Sequence, residues 1–197
     1  MIRVFDFLFS FIGILFLWPI GVILYIIGLF DTGKPIFIQE RVGKNKKLFN
    51  LYKFRTMGVE TKSVASHLAS PASITPFGSF LRKSKLDELP QLLNVLKGDM
   101  SLVGARPNLP NQAELIQERD QRGVYDYLPG ITGLGQINEV DMSMPRKLAI
   151  LDARMYKHLD VSKYFYYIFA TLTGGGQGDR VVEEEDSEEE FQKKRSV

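Results

Sequence analysis

The chain has 197 residues, a formal net charge of +2, two histidines and no cysteine. Without thiols there is no disulfide, no thiolate nucleophile and no cysteine-held zinc or iron–sulfur centre. His67 and His158 stand apart from any ligand-like grouping, so chemistry falls to carboxylates, Arg, Lys and hydroxyls.

Phe7 to Phe30 contains no charged residue and is bounded by Asp6 and Asp31. At about 1.5 Å per residue it is just long enough for a bilayer core of roughly 30 Å. Trp18-Pro19 stands at its centre, and proline removes a backbone N–H and clashes with the preceding turn. No small-residue cleavage site follows before Asp31, so the segment reads as retained rather than as a signal peptide. From the residues alone two arrangements stay open, one kinked spanning helix and a re-entrant helix–break–helix over residues 1–32. Basic residues on both flanks, Arg3 before and Lys34, Arg41, Lys44, Lys46 and Lys47 after, would keep both ends in the cytoplasm. The arms Val4–Leu17 and Ile20–Phe30 are each too short to span alone.

Next, Pro35–Val42 and Leu48–Met57 read as two strands of a hairpin turning at Gly43–Lys46. Lys53 and Arg55, two apart, share one strand face, either a solvated basic face or a phosphate contact. Residues 58–75 read as a short helix plus loop. Phe77–Lys85 has helical spacing and a basic side formed by Arg82, Lys83 and Lys85. Asp87-Glu88 then precede a Pro-started apolar helix closed by Gly98. Ser101–Pro107 reads as a connecting loop, Pro110–Arg122 as a polar helix and Pro129–Gln136 as a Gly-punctuated loop. Met142–Lys157 and the aromatic Val161–Leu172 read as helices. Gly174–Gly176 should end the ordered structure. Glu183–Val197 carries a net charge of −4, which leaves +6 on residues 1–182. A basic body suits anionic headgroups or phosphorylated substrates. Charge alone admits nucleic acid, but the apolar segment argues against it.

Asp87-Glu88 is the leading chemical candidate. Adjacent carboxylates at a helix start commonly complement the helix dipole. With Lys53, Arg55, Arg82, Lys85 and Arg106 for company, they also suit phosphoryl transfer. A carboxylate that attacks phosphorus must have its like-charge repulsion neutralised by Arg, Lys or a divalent cation. Mg²⁺ needs only one or two carboxylates plus substrate phosphates. There is no P-loop, kinase motif set or G-x-S-x-G elbow.

The ordered series Phe37–Gly43, Tyr52–Met57, Leu86–Leu92, Asn94–Ser101, Gly104–Pro107 and Pro129–Gly133 closely resembles the bacterial sugar transferase family, and within it the small monotopic phosphoglycosyl transferases. The resemblance covers the chain to about residue 170. It implies a Pro-kinked re-entrant helix in the inner membrane with the catalytic domain facing the cytoplasm. It implies transfer of a phospho-sugar from a UDP-sugar to polyprenyl (undecaprenyl) phosphate with Mg²⁺ and release of UMP, the first membrane step of glycoconjugate assembly. The route is ping-pong, through a phosphosugar–Asp87 intermediate. By position, Asp87 is the nucleophile, and Glu88 is a metal ligand or acid/base partner. Lys53, Arg55, Arg82, Arg106, Gln136 and Asn138 contact substrate or phosphate, and Trp18-Pro19 is the membrane break. The chain departs from the family's usual pattern in having Trp18 where Ser often precedes the proline, Ala105 where Pro is common, and Glu139-Val140 where Gly-Arg often follows Gln-x-Asn.

The expected fold is therefore α+β and mostly helical. It has a membrane helix pair (1–32), a catalytic domain (33–173) with a small hairpin and amphipathic interfacial helices, and a Gly-rich acidic tail (174–197). The expected partners are a UDP-sugar, polyprenyl phosphate and membrane lipids, with a homo-oligomer left open. The competing expectation is a non-enzymatic scaffold whose basic body binds anionic lipid.

Overall fold

The computed structural model describes residues 2–61 and 71–173. The expected helix within 58–75 falls largely on residues outside that set, as does the whole tail from 174. The described residues are mostly helical, with two small sheets.

Helix α1 runs Ile2–Asp31 and holds Pro19 inside it. The expected interruption at Trp18-Pro19 is corrected here. The helical assignment is continuous across it, because a proline deletes one hydrogen bond while neighbouring turns keep theirs. α1 is two-faced. Asp6, Ser10, Leu24 and Gly28 are buried, and Gly13 and Gly21 lie on the same side, against Leu92 and Leu89. These positions are three, four or, once, eight residues apart, the spacing of one helix face. The opposite side exposes Phe7, Phe11, Phe16, Trp18, Ile23 and Phe30.

Both ends of α1 are tied to the same body. Near the start, Asp6 Oδ1 accepts from Ser101 Oγ, the Leu102 amide and Tyr164 OH, each at 2.9 Å. Arg3 donates to the carbonyls of Val95 and Met100 at the end of α3 (Gln91–Lys97). Near the finish, Leu24 joins Phe54 and Leu81 in a buried cluster, and Thr75 Oγ1 donates to Asp31 Oδ2 at 2.8 Å.

The hairpin forms as its alternation predicts. β1 (Ile36–Val42) pairs antiparallel with β2 (Leu48–Phe54), Phe37 opposite Lys53. α2 (Pro76–Lys83) starts at Thr75, whose side chain accepts from the Gly78 amide, the usual service of an N-terminal Thr. α3 ends at Gly98 with φ 94°, a left-handed position that glycine occupies without strain.

Two loop expectations are corrected. Ser101–Val103 is a strand, β3, paired in parallel with β4, Gly130–Thr132. β4 leads into the short helix α5, Leu134–Ile137. A three-residue strand is too short to show a period of two. The pairing brings Gly104 and Gly130 backbone to backbone, so that a Cβ on Gly130 would fall 2.0 Å from the Gly104 amide nitrogen. Those glycines serve strand contact. α4 (Ala113–Asp120), α6 (Pro145–His158) and α7 (Val161–Leu172) complete the body. The main core gathers Val103, Ala105, Val124, Met155, Tyr156, Tyr164 and Tyr167.

Candidate active site

Asp87 and Glu88 stand on a single 3-10 turn, Leu86–Glu88, between α2 and α3. Lys85 introduces it with φ 59°, left-handed for a residue with a side chain, a conformation that costs roughly 1–2 kcal/mol. The Lys85 ammonium is bonded to the Thr171 carbonyl near the end of α7, at 3.2 Å. Strand β3 and the segment after it bring Arg106 to the turn, and β2 brings Lys53.

The resulting cluster is compact. Arg106 Nη2 donates to Glu88 Oε1 at 2.8 Å, and Lys53 Nζ reaches the same oxygen at 3.3 Å and Asp87 Oδ2 at 3.9 Å. Asp87 and Lys53 are buried, with 5% and 7% of their surface exposed. Such an arrangement sets two carboxylates against two cations. α3 is preceded by Pro90 with no side-chain cap, while Lys53 reaches both carboxylates and Arg106 bonds Glu88.

Of the other expected site residues, Arg82 lies on α2, which packs on the Leu86–Glu88 turn. Arg82 Nε donates to Thr56 Oγ1 at 2.9 Å. Arg55 does lie on the Lys53 face, but its guanidinium sits 5.3 Å from the Phe37 ring centroid and its Nε donates to the Lys34 carbonyl at 2.8 Å. Gln136 and Asn138 lie at α5, where their amides donate to the carbonyls of Ile131 and Leu134. Val140, at the position where the family often carries arginine, is buried with Leu115, Leu148 and Ala149, so that position is core here. Glu139, in the place often held by glycine, has φ 55°.

One element of the site was not anticipated from the sequence. Arg119 of α4, 1% exposed, donates to Asp152 Oδ2 of α6 at 2.7 and 3.0 Å. It also donates to the Arg106 carbonyl at 2.8 Å and Asn108 Oδ1 at 3.0 Å. Burial pushes the Asp152 carboxyl above its ordinary range, and Arg119 pulls it back. The only sequence signal was a charged residue at each of two inward helix positions, and that does not name a partner.

A family model for bacterial sugar transferases matches residues 1–176. The chain belongs to the bacterial sugar transferase family. It is 41% identical over 133 residues to a putative undecaprenyl-phosphate N-acetylgalactosaminyl 1-phosphate transferase of Bacillus subtilis, covering 66% of this chain and 70% of the relative. It is 38% identical over 162 residues to the undecaprenyl-phosphate galactose phosphotransferase of Salmonella typhimurium, covering 71% of this chain and 33% of that protein. An uncharacterised sugar transferase of Bacillus subtilis is 49% identical over 107 residues, 54% of this chain and 52% of the relative. For several of the relatives it matches, the family member described here thus spans about half or less of their length.

Proposed function

We propose that this sugar transferase moves a phospho-sugar from a UDP-sugar to a polyprenyl phosphate at a membrane surface, with Asp87 as nucleophile. The observation that carries the reading is the buried Asp87 carboxylate held beside Lys53 and the Arg106–Glu88 pair. The names of several relatives, which specify undecaprenyl-phosphate as the acceptor of a sugar phosphate, support the substrate class.

In the first half-reaction an Asp87 oxygen attacks the phosphorus bearing the sugar. The bond from that phosphorus to the bridging oxygen breaks, and UMP leaves. In the second, an oxygen of the lipid phosphate attacks the same phosphorus and the Asp87–phosphorus bond breaks. Lys53 and Arg106 offset the negative charge gathering on the phosphate oxygens. Glu88, bonded to both cations, holds them beside Asp87.

The donor set fits Mg²⁺ only as a shared site. Among the described residues there is no group of three His, Asp or Glu side chains able to hold a metal, whereas adjacent Asp87 and Glu88 supply the one or two carboxylates Mg²⁺ takes alongside substrate phosphates. When bound, the ion would neutralise phosphate and leaving-group oxygens.

Helix α1 supports a membrane placement. It is long and apolar enough to cross a bilayer by length and composition. Yet residues 3–6 and residues 24–31 both bond the same body, which is hard to combine with a span that puts the ends on opposite sides. This supports a one-sided, re-entrant seating, with the exposed aromatics of α7, Phe165, Tyr166 and Phe169, at the interface.

Purified protein offered a panel of UDP-sugars should release UMP and, without lipid acceptor, gain one sugar-phosphate mass on Asp87. UMP release with no adduct under single turnover would point to direct transfer, and full activity in excess chelator would remove Mg²⁺ from the scheme. Single cysteines at positions 2 and 33 should label from the same side, whereas opposite-side labelling would establish a span.

A further inference from the structure

The segment after β3 carries Arg106 to the catalytic turn, and its backbone is held at every carbonyl from 105 to 108. The Gly130 amide donates to Ala105 O at 2.8 Å, Arg119 to Arg106 O at 2.8 Å, Arg41 to Pro107 O at 3.0 Å and the Val42 amide to Asn108 O at 2.9 Å. Tyr156 OH accepts from the Ala105 amide and donates to the Leu128 carbonyl, both at 2.8 Å. Within this set Arg119 is distinctive. It alone bonds Arg106 itself, and it joins Asn108 and Asp152 at the same time with one planar guanidinium. Tyr125 OH also donates to Asn108 Oδ1, at 2.9 Å.

A carbonyl could be satisfied by a neutral donor. Here the task falls to a full charge whose side chain is 2% exposed, balanced by a carboxylate at 0%. Desolvating such a pair is costly, and apolar replacements of similar volume are often neutral or stabilising. What the rigid fork provides is direction, since its donors are fixed in one plane and three acceptors from two parts of the fold meet it. Two residues on, the Asn108 carbonyl is held by the Val42 amide at the end of β1, so the backbone that carries Arg106 is braced on both sides.

We propose that Arg119, with Asp152 as its counter-charge, is a positioning residue that fixes Arg106 against Glu88 and so sets how the site grips the phosphates of its nucleotide substrate. This rests on the reaction proposed above.

The test is a two-background comparison. Arg119→Lys keeps the charge and loses the fork. UMP release should fall about tenfold in kcat/KM when Arg106 is present, and less than about twofold in an Arg106→Ala background, the non-additivity expected of residues acting as a unit. Equal losses in both backgrounds would overturn the proposal, since a merely structural role lowers both alike. Should Arg119→Lys fail to fold, Asn108→Ala removes one acceptor of the same fork and is read the same way, with the same outcome overturning it. If the unmodified protein releases no UMP from any UDP-sugar, the reaction reading fails. The positioning role is then read by calorimetry with UMP itself, whose binding Arg119→Lys should weaken only while Arg106 is present. Equal weakening in both backgrounds, or none, would end it.

Discussion

Among the guanidinium–carboxylate pairs of the described residues, Arg106–Glu88 and Arg119–Asp152 differ most usefully in what remains accessible. At Asp87–Glu88, two carboxylates meet Lys53 and Arg106, whose side chains keep 9% and 21% of their surface exposed. At Arg119–Asp152, one charge meets one charge and both are sealed, at 2% and 0%. The first cluster keeps part of its cationic surface accessible. The second directs its donors inward to Arg106 O and Asn108. On the readings proposed above, the same chemistry makes a working site where it stays partly exposed and a brace where it does not.

That contrast can be broken by experiment. Asp87→Asn should lower UMP release on the order of 10³-fold or more, the scale of losing a nucleophile, while its melting temperature stays near that of the unmodified protein. Normal turnover would end the assignment of the working site. Asp152→Leu should do the reverse in kind. It strands a buried guanidinium at a cost of about 3–5 kcal/mol, a fall of roughly 10 °C in melting temperature for a chain this size. A shift under about 2 °C would show that the brace bears no charge of consequence. Asp6→Ala removes one oxygen serving three donors and should destabilise by about 2–3 kcal/mol, measured by thermal denaturation in detergent. Arg55→Ala should change UMP release by less than about twofold, because its contacts are with Lys34 and Phe37. A tenfold loss would bring Arg55 into the working site after all.

The sequence made some of this plain. The runs Pro35–Val42 and Leu48–Met57 with a turn between them announced the hairpin, and α7 occupies the Val161–Leu172 range read from the sequence. The Asp87–Glu88 turn and the approach of Lys53 and Arg106 follow the motifs. Other features had no local signal. β3 and β4 are too short for alternation to register. Arg119 and Asp152 are 33 residues apart and meet only through the packing of α4 on α6. Asp6 read as the boundary of an apolar run, whereas it is the point at which that run is fastened to β3 and α7. Arg55 shows the limit from the other side. Sharing a face with Lys53 was legible, but reaching the same partner was not, since β2 ends at Phe54.

The fastening of α1 has a mechanical consequence. An apolar helix free at one end meets a thicker or thinner bilayer by changing its tilt. One bonded through Asp6 at its head and Asp31 at its foot has no such freedom, because tilting would tear one set of contacts. Seated in a membrane, this protein would leave the lipid to adjust around it, and sensitivity to acyl-chain length would then reside in the bilayer's stiffness rather than in the enzyme's shape.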